Sequence, residues 1–137
     1  MTGGGGRPRA TAVVRLVTRA ELDTADSAAR RISVSARLVA VLADGRRVVL
    51  LDDRGWSASG PAGTGLRLVA EEVERDARTV VGPDEPFGGR TRAQMAADHW
   101  GSLARVLARR GVAVDAAELA RLPHDVVLGE RLRARLG

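Results

Sequence analysis

ISVSARLVAVLADGRRVVLLDD, residues Ile32–Asp53, is the stretch whose reading decides the fold. Ile32, Val34, Ala36 and Leu38 alternate with Ser33, Ser35 and Arg37. That two-residue period predicts a strand with one buried and one wet face. From Leu38 to Leu42 both faces become apolar. Asp44-Gly45 tolerates the positive φ of a tight hairpin turn, and RRVVLLDD, Arg46–Asp53, returns as the partner strand. Upstream, residues 11–18, TAVVRLVT, are β-branched and apolar and predict a first strand. Residues 20–31 read as a loop or a short helical turn. The N-terminal half is thus an antiparallel sheet of about three strands, including the 32–53 hairpin. Such a sheet is stable only with helices packed on one face.

Those helices are expected downstream. RGWSASGPAGTG, residues 54–65, reads as a Gly/Ser/Pro loop. Over residues 66–81, Leu68, Val69, Val73, Ala77 and Val80 fall at helical spacings, with Glu71, Glu72, Glu74 and Asp76 toward solvent. GPDEPFGG, 82–89, is a turn-rich connection. The strongest helix signal is TRAQMAADHWGSLARVLARRG, Thr91–Gly111. Thr91 and Gln94 predict a capping box, Ala96, Trp100, Leu103 and Leu107 share one face, and Gly111 suits the left-handed position past the helix end. The same stripe predicts Trp100 as a buried anchor of the core. Asp115 and Glu118 suggest a second capping-box start for a short helix through Arg121. Pro123 is expected to open a last helix, in which Leu128, Leu132 and Leu136 share a face. Strands first and helices after make the class α+β, with three to four helices on one face of the sheet. Residues 1–9 read as a flexible Gly-rich tail, and 10–137 as a single domain.

Composition narrows the function classes. All 22 basic residues are arginine, and Asn, Tyr and Cys are missing as well as Lys. This Ala/Gly/Arg/Val usage is what a GC-rich genome writes by codon bias, so the net charge of +5 is discounted as a sign of a nucleic-acid partner. Without cysteine, thiolate catalysis and Cys-based zinc sites are excluded. No apolar run approaches the ~20 residues of a bilayer span. The cytoplasm is the expected location.

The two histidines are the first place to look for catalysis. Asp98-His99 lies in the long helix and His124-Asp125 follows Pro123. Neighbouring helix residues do not face each other, so neither pair is a ready dyad. A metal enzyme or small hydrolase would need His99 and His124 to meet, with Glu71 or Glu72 completing the ligand set. No H-E-x-x-H or similar spacing supports that, nor does a G-x-S-x-G elbow back Ser57 or Ser59. GPAGTG, 60–65, lacks the phosphate-binding patterns. The plain expectation is a half-buried His99 and a His124 in a helix-capping region, with no cofactor and no metal.

Two binding readings remain. Trp56, beside Arg54, is either a lid over the sheet edge or an anchor for a partner protein. Arg131, Arg133 and Arg135 on an Arg-rich last helix would contact the phosphates of a nucleic acid, though a solvated basic face explains such a run more simply. A small cytosolic protein-interaction domain is therefore expected, regulatory, immunity- or antitoxin-type, or an accessory subunit. Nucleic-acid binding and a His99/His124 enzyme are the alternatives. The apolar runs Leu38–Leu42 and Val48–Leu51 add the expectation of a homodimer formed through the sheet's edge or its uncovered face.

Overall fold

In the computed structural model, which describes residues 12–23, 31–59 and 68–136, the hairpin forms β2 (Arg31–Leu42) and β3 (Arg47–Ser59). Gly45 takes the positive φ, at 90°. The Leu42 N–H donates to the Arg46 carbonyl at 2.8 Å and the Gly45 N–H to the Leu42 carbonyl at 2.9 Å, closing a three-residue loop. The Asp44 carboxylate accepts the Arg46 N–H at 2.9 Å and pairs with its guanidinium at 2.7 Å.

β1 (Val13–Leu22) lies antiparallel to β2, from Val13 opposite Leu42 to Leu22 opposite Val34. It runs past the expected end at residue 18. On its far side β1 takes a fourth strand, β4 (His124–Leu128), in parallel, so the sheet order is β3-β2-β1-β4. Residues 124–128 were expected to be helical. The Pro123 carbonyl instead accepts the Leu16 N–H at 2.8 Å, and the β-branched pair Val126-Val127 follows into the ladder. Only α4 (Glu130–Arg133) is helical there. Leu128 and Leu132 are buried in one cluster and Leu136 packs against it. Their four-residue spacing thus marked the core correctly, but a strand end, one helical turn and a bridge to Leu68 fill it.

The long helix forms as read. α2 (Arg92–Arg109) carries the full capping box: Thr91 Oγ1 accepts the Gln94 N–H at 3.1 Å and Gln94 Oε1 accepts the Thr91 N–H at 2.8 Å. Its end is a Schellman motif, with the Val112 N–H donating to the Leu107 carbonyl and the Gly111 N–H to that of Ala108. α1 (Ala70–Val80) buries Val73 and Ala77 and leaves Glu71 and Glu72 exposed in its first turn. α3 (Ala116–Ala120) starts at Asp115, but that side chain makes no capping hydrogen bond, so the second capping box is absent.

All four helices pack on one face. Leu16, Ala36, Leu38, Ala40 and Leu42 of the sheet join Leu103, Leu107, Val112 and Leu119 in the larger core cluster. Ala20, Leu22, Ile32 and Val34 join Val73, Ala77, Leu128 and Leu132 in the second. Trp100 is only half-buried and packs against the rim of the larger cluster, short of the full burial expected of it. Val17, Val39 and Val41, which alternate with these residues, belong to neither cluster and point to the opposite face. The N-terminal tail, most of the 20–31 segment and the 60–65 loop lie outside the described residues.

Candidate functional site

β3 forms one border of the sheet and, among the described residues, pairs only with β2. Its register falls into two halves. In the first, Arg47, Val48 and Val49 oppose Val41, Ala40 and Val39, after which the step from Val49 to Leu51 spans a single residue of β2 and makes Leu50 a bulge. A second bulge lies between Leu51 and Arg54. From Arg54 to Ser59 the ladder is regular, with Arg54 opposite Ala36, Trp56 opposite Val34 and Ala58 opposite Ile32.

This regular half corrects the expected loop: residues 54–59 are strand. Glycine and serine argued for a loop, but the alternating face of β2 needs a partner, and cross-strand pairs outweigh weak intrinsic preference. Gly55 is required sterically, since a Cβ there would sit 2.5 Å from the Val34 carbonyl oxygen. The period of two was present in Trp56 and Ala58 alternating with Gly55, Ser57 and Ser59. It was the signal by which this edge was legible.

Trp56 is half-buried and touches both core clusters, spanning the seam between them as a lid. Arg54, on the same face of β3, turns toward the helices. Its guanidinium donates to the Val80 carbonyl at 3.2 Å and to Asp84 at 3.3 Å, and lies 3.8 Å from Asp53. Arg54 thus ties the strand to the end of α1 and the turn beyond. The side chains that border the open edge between them are small and exposed: Gly55, Ser57 and Ser59.

The histidines sit in separate surroundings. His99 is half-buried, as expected, with its ring edge-on to Trp100 at 4.9 Å and its Nε2 buried without a hydrogen-bond partner. Burial pushes its pKa below the usual value, and Arg54 adds to the shift, while the Val81 backbone and Asp84 oppose it. His124 is in β4 rather than in a helix cap, and its Nε2 is hydrogen-bonded to the fully buried Thr18 hydroxyl at 2.6 Å. Burial, then Arg78, depresses its pKa too, against Asp125. Among the described residues no group of three or more His, Asp or Glu side chains is placed to hold a metal ion.

Arg131 and Arg133 lie on the single turn of α4 and Arg135 just beyond it, so no long basic helix face forms. Arg133 donates to the Leu128 carbonyl at 3.1 Å. The N-terminal N–H of Leu132 donates to Glu21 Oε1 at 2.9 Å, and the same oxygen accepts the Leu22 N–H at 2.7 Å. Glu21 thereby caps α4 from β1, a role the sequence did not signal. No helix of the described residues is long and apolar enough to cross a membrane. Compared with known protein families, curated proteins and solved structures, the chain matches none of them.

Proposed function

We propose that the chain is a cytoplasmic protein-interaction domain, regulatory or accessory, that accepts an extended strand of a partner protein along Arg54–Ser59 of β3, with Trp56 beside the docking line. One observation supports this above the others: the outer half of the border strand is undefended. Exposed sheet edges are ordinarily protected by charged side chains, proline, bulges or covering elements. Residues 55–59 are regular strand with none of the charges, prolines or bulges, among the described residues they pair only with β2, and Gly55, Ser57 and Ser59 are small and exposed. Strand addition draws its affinity from such main-chain groups and its specificity from neighbouring side chains, and Trp is among the side chains that most often anchor interfaces.

The test is affinity capture from the native host, followed by hydrogen exchange on the purified complex. The expected partner protects the amides of residues 54–59 and is lost by Ser57→Lys, which puts a charge on the edge, and by Trp56→Ala. A partner whose footprint falls on the helices, or one indifferent to Ser57→Lys in a folded variant, refutes the reading.

A further inference from the structure

The other half of the same border strand carries a different signal. Read against its own reverse, Arg46–Asp53 is self-complementary: in RRVVLLDD, antiparallel alignment of two copies sets Arg46 against Asp53, Arg47 against Asp52, Val48 against Leu51 and Val49 against Leu50. In a regular strand this alignment fails, because residues 47 and 52 are an odd number of positions apart and point to opposite faces. The bulge at Leu50 changes that parity. Arg47 opposes Val41 on the face away from the helices, and Asp52 lies on that same face beside Arg19 and Arg37. Val48 and Leu51 both pack against the helix-side core. The bulge therefore puts Arg47 on the same face as Asp52 and Val48 on the same face as Leu51, while at the centre Val49 points away from the helices and Leu50 into the core.

We propose that two copies of the chain associate along the 46–53 half of β3, antiparallel about a two-fold axis between Val49 and Leu50, with Arg47 of each copy paired to Asp52 of the other. The two sheets then continue as one of eight strands, four from each copy. The isologous contact uses each charge twice, as two-fold symmetry requires. Arg47 and Asp52 are exposed and have no ion-pair partner among the described residues, so both are available. The charges and the bulge that guard an edge against a foreign strand do not exclude a second copy, which sets the opposite charge at each position and its own bulge at the axis beside Val49, 43% exposed. This association needs no partner protein and stands apart from the use proposed for residues 54–59.

Charge exchange tests it with the intact chain. Sedimentation equilibrium should show a dimer for the wild type. Arg47→Asp sets acid against acid at both pairs, and Asp52→Arg sets base against base. Each variant should dimerise about tenfold more weakly or worse, since like charges directly opposite destabilise strand pairs. An equimolar mixture of the two restores both Arg–Asp pairs and should form a heterodimer of wild-type affinity. Circular dichroism melts of each variant confirm that these exposed substitutions leave the fold intact. A wild type that stays monomeric at about 100 μM, a dimer insensitive to both substitutions, or a mixture that fails to associate overturns the proposal.

Discussion

Leu107→Ala should destabilise the protein more than Trp100→Ala, although tryptophan is the larger side chain and both lie on the same stripe of α2. Leu107 is 0% exposed and sits in the larger core cluster among Leu38, Leu103 and Leu119. Truncating a leucine so enclosed costs about 2.7–5 kcal/mol, because the cavity cannot collapse. Trp100 is only partly buried at the rim of that cluster. A fully buried Trp→Ala change costs about 3–5 kcal/mol, and an indole already partly in water, at a rim that can close over the gap, brings this to roughly 2–3 kcal/mol. For a chain of 137 residues, 1 kcal/mol moves the melting temperature by roughly 3–5 °C. Leu107→Ala should then melt about 8–25 °C below wild type, and Trp100→Ala about 6–15 °C below. Thermal and urea unfolding followed by circular dichroism measure both. If Trp100→Ala proves the more damaging, α2 docks with its indole inward, and the placement of the helix described above is wrong.

Two further outcomes are expected. Stability should fall on acidification through the histidine range: burial holds the folded pKa of both His99 and His124 below the ordinary imidazole value of about 6.5, so the unfolded chain binds protons first and the lost stability appears as pH drops below about 6.5; His99→Gln should flatten part of that dependence in melts between about pH 7 and 5, and an unchanged slope would refute a role for His99 in it. Gly55→Ala should lower the melting temperature out of proportion to one methyl group, because its Cβ would lie 2.5 Å from the Val34 carbonyl; a variant as stable as wild type would show that β3 shifts easily at that point.

The elements with strong local grammar were readable in advance. The hairpin announced itself through alternation and Asp44-Gly45, and α2 through its Thr91–Gln94 box and Gly111. What failed to show were features decided by distant partners. β4 forms because β1 has a free side for Val126 and Val127 to join, a fact located more than a hundred residues upstream. Residues 54–59 become strand because β2 demands a neighbour, against their glycine and serine. Both differences have one cause: long-range pairing overrides local composition. The candidate site suffered accordingly. The sequence reads Arg54 and Trp56 as a pair in a loop, whereas the structure sets both in strand, on the face of β3 that meets the helices. The Leu50 bulge, which sets the faces of Arg47 and Asp52, leaves no mark in the residue pattern at all.

The parallel seam between β1 and β4 also governs when the protein can finish folding. Leu16 and His124 are register partners, so the fourth strand joins only after the more than one hundred residues between them have left the ribosome. Until then the hairpin and β1 stand as a three-stranded meander in which β1 is exposed along its second side. Closing so long a loop is an entropic cost met before its contacts repay it, which slows folding relative to a chain of local contacts. During that interval the ten residues of β1 form a border that the five-residue β4 later takes over, and the longer open edge carries the greater aggregation risk.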